Sequence, residues 1–297
     1  MVIYNDTDIT EKTDVISADH EMNAGGCADT LEIRFDDSDH LWSRWGPSVG
    51  DSISFKDGGT STGKMYVYDF SIEDDVAVIY ASSIPPYLRN TYSKTWEEVY
   101  LSQILKEVTP SFQLNAIEDV WYRYKDCNRK LISFLNETAE LEGAALILHD
   151  DTVILVNEQA LEAQDANVDV DCAGANVKIK DDTAELFDAC IVKSGQYQGS
   201  FAASEGDRVY KPGRVIPCGS DAEAFRYAKS LLRAANRTKT DIRWRGNIMP
   251  HLSAGTCINL INSDNPSWSG KMYCYRVRHE YGKNVTTIYM RRPLEGY

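Results

Sequence analysis

Apolar and polar residues alternate over short runs towards both ends of the chain and recur at helical spacing between them. Leu31-Glu32-Ile33-Arg34-Phe35 has an apolar residue at every second position, the pattern of a half-buried strand. The same rhythm marks Ile53 to Phe55, Met65 to Tyr68 and Val76 to Ala81, each bounded by Gly, Asn or Asp turn residues. Helical spacing of Leu101, Ile104, Leu105 and Val108, with Thr95 and Glu98 as a capping box and Pro110 as a stop, predicts a helix over 96–108. Leu131, Phe134, Leu135 and Leu141 predict a second over 128–142, closed by Gly143, and a hairpin follows at 145–149 and 153–157. A third helix is expected over 221–236, with Phe225, Ala228, Leu232 and Ala235 inward. The stretch 191–219, rich in Gly, Ser and Pro, reads as a strand, a long loop for a subunit or partner contact, and another strand.

The pattern repeats. Gly50-Asp51-Ser52-Ile53-Ser54-Phe55 matches Gly255-Thr256-Cys257-Ile258-Asn259-Leu260, and Thr62-Gly63-Lys64-Met65-Tyr66 matches Ser269-Gly270-Lys271-Met272-Tyr273. Val76 to Ala81 then matches Val285 to Met290. The separation drifts from 205 (Gly50 to Gly255) to 207 (Gly63 to Gly270) to 209 (Val76 to Val285), as two-residue loop insertions produce. Three ordered matches favour internal duplication over a chance match of turn chemistry. Ile242-Arg243-Trp244-Arg245 takes the part of Leu31 to Phe35 in the second unit. The expected fold is mainly β with α/β insertions, an α+β chain.

Composition narrows the function. The 297 residues are 43% hydrophobic and 26% charged, enough for real cores, and no apolar run is long enough to span a bilayer. The N-terminus has no signal-peptide pattern. A net charge of −14 repels phosphate, so neither stable nucleic-acid binding nor an anionic membrane surface is expected. The seven cysteines (Cys27, Cys127, Cys172, Cys190, Cys218, Cys257, Cys274) are odd in number and contain no C-x-x-C, which points to reduced core residues. The acid pairs Asp36-Asp37, Asp74-Asp75, Asp150-Asp151 and Asp181-Asp182 fall at expected turns and strand ends, where Asp makes local hydrogen bonds. No histidine pair has metal-ligand spacing, and no phosphate-binding glycine loop occurs. Catalytic, metal and cofactor sites are therefore all expected to be absent. Trp42 and Trp45 flank a Gly46-Pro47 turn and serve either to cap the first unit or to contact a neighbouring subunit.

The run Asp29-Thr30-Leu31-Glu32-Ile33, Trp42-Ser43-Arg44-Trp45-Gly46-Pro47, Gly50-Asp51 and Thr62-Gly63 resembles the late control gene D family of phage tail proteins. So do Ala81-Ser82-Ser83-Ile84-Pro85-Pro86, Ser93-Lys94-Thr95-Trp96-Glu97, and Ser133-Phe134-Leu135-Asn136-Glu137 with Gly143. The close, Tyr273 to Glu280 with His279, is similar to that family's final hairpin. The resemblance implies two tail-tube-like β-barrels, 1–94 and 169–297, flanking an α/β insertion at 95–168. It implies a baseplate hub of a contractile phage tail or phage-tail-like particle, such as a bacteriocin or other contractile injection system. That hub would be a homotrimer adapting a six-fold tail tube to a three-fold spike. Its partners would be the tube protein, the spike protein, a tape-measure protein and other baseplate proteins, with the chain made in the bacterial host cytoplasm. With no spike or lysozyme extension in the chain, those parts are expected as separate proteins. Asp36, Asp37, Asp74 and Asp75 are candidate lumen acids. The competing readings are a cell-wall hydrolase and a carbohydrate-binding protein of the tail tip.

Overall fold

Strands form where the alternation lies. The computed structural model, which describes every residue except Gly174, begins with β1 (Val2–Tyr4), β2 (Thr7–Asp8), β3 (Val15–Asn23) and β4 (Thr30–Asp36). The short helix α1 (Leu41–Trp45) leads to β5 (Ser52–Asp57), β6 (Thr60–Ser61), β7 (Met65–Glu73) and β8 (Val76–Ser82). A first insert follows: β9 (Thr91–Tyr100), α2 (Leu101–Val108), β10 (Phe112–Asn115), β11 (Trp121–Lys130), α3 (Leu131–Leu141), β12 (Ala144–His149), β13 (Thr152–Asn157) and α4 (Glu158–Ala163). After β14 (Asp169–Asp171) and β15 (Asn176–Asp181) comes a second insert, with β16 (Ala189–Ser194), β17 (Tyr197–Ala202), β18 (Val209–Tyr210) and α5 (Asp221–Asn236). The chain closes with β19 (Thr240–Asn247), β20 (Cys257–Ile261), β21 (Gly270–Glu280) and β22 (Val285–Arg291).

The two β units correspond strand for strand. The first runs β3-β4-β8-β7-β5 and the second β15-β19-β22-β21-β20. Ser52 pairs with Tyr66 and Ile53 with Met65; Cys257 pairs with Tyr273 and Ile258 with Met272. Tyr66 then pairs with Ser82 and Tyr273 with Arg291, and each ladder slips by one residue at a tyrosine, Tyr68 or Tyr275. Such bulges re-aim a strand. The turn before each hairpin repeats too. The Gly50 amide donates to the Val67 carbonyl and the Gly255 amide to the Cys274 carbonyl, both at 2.8 Å. Outer strands obey the same register: Leu31 pairs with Ala81 and His20 with Leu31, while Ile242 pairs with Met290 and Ile179 with Ile242.

One feature differs from two separate barrels. Antiparallel pairing of β21 with β3 joins both units into one 14-stranded sheet around two cores. The first core centres on Leu31, Ile33, Phe35, Trp42, Ile53 and Met65; the second on Ile242, Trp244, Ile258, Met272, Val277 and Ile288. The joint interlocks them, since Met22 of β3 packs on the second core and Tyr281, just after β21, on the first.

The helix expected over 96–108 is shorter. Residues 91–100 form β9, paired with β11, and α2 starts at Leu101. Burial of Trp96 and Val99 against the insert core holds this stretch extended, with Glu98 at φ +49° absorbing an irregularity. The cap moves accordingly: Gln103 Oε1 accepts from the Tyr100 amide at 2.9 Å. β11 likewise takes residues 128–130 from the second helix. The third helix has the expected bounds but a rotated face, with Ala224, Tyr227, Ala228, Leu231 and Leu232 buried and Phe225 turned out against Phe201. The stretch 191–219, expected as a strand, a long loop and another strand, starts with the end of β16, turns back directly into β17 in place of the long loop, and then holds the short β18.

Candidate assembly site

The joint between the units is built from two strands of opposite charge. β3 carries Asp19 and Glu21, and β21 carries Arg276 and Arg278, on the same outer face. Arg278 Nη2 donates to Asp19 Oδ2 at 2.7 Å, and Arg276 Nη1 lies 3.8 Å from Glu21 Oε1. On the inner face His20 stands directly opposite His279, and both are buried. The His279 ring nitrogens contact Thr286 Oγ1 and the Leu252 carbonyl, both at 3.0 Å. His20 Nε2 has no partner. Burial pushes the His20 imidazole down to about 3, with the neighbouring His279 adding to the shift, and burial also lowers His279. Both rings are neutral at ordinary pH. Sequence reading missed this joint, although alternating acids on one strand and alternating arginines on another were a visible signal.

The aromatic pair divides. Trp42 is fully buried against Phe35, 4.4 Å between ring centroids, and belongs to the first core, so it is withdrawn as an interface residue. Trp45 is 47% exposed, resting on Tyr4 at 4.5 Å and Trp42 at 5.0 Å. Gly46, in the left-handed region, ends the helix between them.

The four acids divide as well. Asp37 is buried, and its carboxylate accepts from the Trp42 amide at 2.7 Å, the Ser43 amide at 3.2 Å and the Ser43 hydroxyl at 2.5 Å. Burial alone would raise this carboxyl, but the Ser43 hydroxyl and the two amides outweigh it and hold it below its ordinary value. Asp37 thus anchors α1 and cannot face a lumen. Asp36 is exposed and caps Ser38, and Asp74 and Asp75 form the exposed left-handed turn of the β7–β8 hairpin. Asp150 and Asp151 tie the first insert to the first unit: Asp150 Oδ1 accepts from the Lys64 amide at 2.7 Å, and Asp151 accepts from the Tyr66 hydroxyl. Gly63 permits this contact. It has φ +69°, and a Cβ there would meet His149 at 2.8 Å.

A buried ionic cluster fixes the second unit to both inserts. Arg291 Nη2 donates to Glu158 Oε1 at 3.1 Å and pairs with Glu162, and Arg233 of α5 reaches the same two carboxylates. Burial would raise Glu158, but Arg291, with Arg237 and Arg233, offsets it and holds it below its ordinary value. Among the described residues no group of three or more His, Cys, Asp or Glu is placed to hold a metal, and no helix is long and apolar enough to cross a membrane.

No known protein family matches the chain, and no curated protein does. Solved structures do. The 43 kDa tail protein of prophage MuSo2 from Shewanella oneidensis superposes with a TM-score of 0.69 at 11% identity, over 93% of this chain and 94% of that one. A tail protein from Neisseria meningitidis MC58 gives 0.71 at 12%, over 93% and 92%. The E. coli c3393 protein, a type VI secretion component described as similar to the T4 tail proteins gp27 and gp5, gives 0.61 at 12%, over 96% and 76%. At these identities the likeness is one of fold: the chain shares the architecture of tail proteins over nearly its whole length.

Proposed function

We propose that the chain is a structural baseplate hub at the end of a contractile-type tail tube, related to the late control gene D proteins. The observation that carries this reading is the pair of β units with one strand order, one register and one bulge position. Internal duplication accounts for that match more simply than independent convergence on the same tyrosine bulge. The units then stand for the two tube-like barrels, 1–94 and 169–297, with 95–168 between them. Three such chains offer six similar positions to a six-fold tube while keeping three-fold symmetry for a spike. Fold likeness to tail proteins and to a type VI secretion component supports the same role. In this reading Trp45 meets a neighbouring protein, and Asp36, Asp74 and Asp75 face a lumen through which a tape-measure protein or DNA passes without sticking. The chain performs no catalysis, and purified protein leaves peptidoglycan intact. The deciding experiment is electron microscopy of the assembled particle, counting copies where tube meets spike. Three copies are expected; six, or none, would overturn the adapter.

A further inference from the structure

We propose that neighbouring copies of this chain join edge to edge, the C-terminal half of β7 in one copy pairing with β15 of the next. The register is the one that already joins β21 to β3 inside each chain. The proposal rests on the multi-copy ring described above and names the surfaces that make it.

The correspondence of the units dictates the geometry. β21 is the counterpart of β7, and β3 the counterpart of β15. Inside the chain the other flank of β21 takes β3, whereas among the described residues Asp69 to Glu73 has β8 as its only ladder partner and β15 has only β19. These two strand edges are what remains when one joint of a repeating series is made and the next is open. An unpaired edge of this kind is a template for another chain.

Transferring the register gives specific pairs. Glu280 opposite Asp19 becomes Glu73 opposite Lys178, and His279 opposite His20 becomes Ile72 opposite Ile179. Arg278 opposite Glu21 becomes Ser71 opposite Lys180, and the diagonal Arg276–Glu21 contact becomes Asp69–Lys180. Ile72 and Ile179 are 41% and 37% exposed, although their counterparts His279 and His20 are 1% and 4% exposed. Two inward-facing isoleucines are thus left uncovered on the strand edges, each positioned to cover the other. Arg276 opposite Asn23 becomes Asp69 opposite Asp182, and Lys180, already beside Asp182 at 2.8 Å, would lie between the two carboxylates and pair with both.

Charge selects the partner. At the internal joint Asp19 and Glu21 are on β3 and the bases Arg276 and Arg278 on β21, where Glu280 is the one acid. At the open edges the signs are reversed, with Asp69 and Glu73 on β7 and Lys178 and Lys180 on β15. β7 against β7 would set acid beside acid, and β15 against β15 lysine beside lysine. Only the head-to-tail pairing is attractive, and head-to-tail contacts are those that close rings.

The test uses the full chain with Cys27→Ser, which removes the exposed native thiol. Chains carrying Ile72→Cys and chains carrying Ile179→Cys are mixed at high concentration and oxidised. A disulfide-linked dimer is expected from the mixture and from neither alone. In sedimentation, Lys178→Glu with Lys180→Glu should weaken association roughly tenfold or more, as like charges side by side do. Asp69→Lys with Glu73→Lys should do the same, and all four changes in one chain should restore it. Association without the mixed disulfide, and indifferent to either reversal, would overturn the joint and leave the ring reading intact. A chain that never associates would overturn both.

Discussion

Ser82 and Arg291 occupy the same place in their two units, each opposite a buried tyrosine, Tyr66 or Tyr273. Ser82 accepts a hydrogen bond from Arg89 at 2.8 Å, a local contact at the end of its strand. Arg291 instead reaches out of the sheet to Glu158 and Glu162 and binds both inserts to the second unit. One skeleton therefore supports two kinds of attachment. Both units have apolar cores, the first capped by Trp42, but it is the second that a buried ion cluster fastens to both inserts. The comparison can be broken by substitution. Arg291→Ala leaves two carboxylates buried with less compensation and is expected to cost about 3–5 kcal/mol. Ser82→Ala is expected to cost about 1 kcal/mol, the scale of one hydrogen bond. Urea unfolding midpoints read both; equal costs would show that the cluster is not what distinguishes the second unit.

The apolar side of the contrast has its own test. Trp42→Ala empties the floor beneath Tyr4 and Phe35 and is expected to cost about 3 kcal/mol. That is the low end for a buried tryptophan, because Tyr4 and Trp45 can lean into the space. Trp45→Ala should change stability by less than about 1 kcal/mol. If the two losses match, Trp45 belongs to the core as fully as Trp42 does.

The joint between the units adds a pH dependence. His20 titrates near 3 when folded and near its ordinary value when unfolded, so the unfolded state binds the proton first. Stability is full above the unfolded value and falls as pH drops below it, at up to 1.36 kcal/mol per unit for one proton. Between pH 7.5 and 5, His20 should account for about 2 kcal/mol, with His279 acting in the same direction. His20→Leu should flatten that slope without destabilising at pH 7.5, since the ring nitrogen it removes has no partner. An unchanged slope would place the titrating group elsewhere.

The matching strand order was legible because like backbone conformations ask for like residues: Gly50 and Gly255 have φ +97° and +88° and donate the same amide bond to the strand that follows. The helix over 96–108 misled because Leu101, Ile104, Leu105 and Val108 are truly helical, while Trp96 is extended through contact with Phe134, distant in sequence. The joint escaped notice because no single strand reveals which strand will lie beside it. Asp19 and Glu21 read as solvated acids until Arg278 and Arg276 are brought to them. The ion cluster escaped for the same cause, since Glu158, Arg233 and Arg291 lie on three separate elements.

The smallest expected effect separates Asp37 from the acids around it. Sequence placed Asp36, Asp37, Asp74 and Asp75 together as turn acids, yet only Asp37 is buried, capping α1 through two amides and a hydroxyl. Losing such a cap costs about 1–2 kcal/mol. Asp37→Ala should lower the unfolding midpoint accordingly and loosen Trp45, whose position depends on α1. Tryptophan fluorescence would report this as a red shift. Because Asp37 sits below the ordinary carboxylate range when folded, its contribution is present at neutral pH. It is lost only as acid carries the solution down through the folded value, well under the pH at which His20 acts. Asp36→Ala removes one exposed contact, to the Ser38 amide at 2.9 Å, and should leave the midpoint and fluorescence where they are. A fluorescence shift for Asp36→Ala equal to that for Asp37→Ala would mean that the whole acidic turn, and not one buried carboxylate, holds α1 in place. Asp36 would then no longer be free to face a lumen.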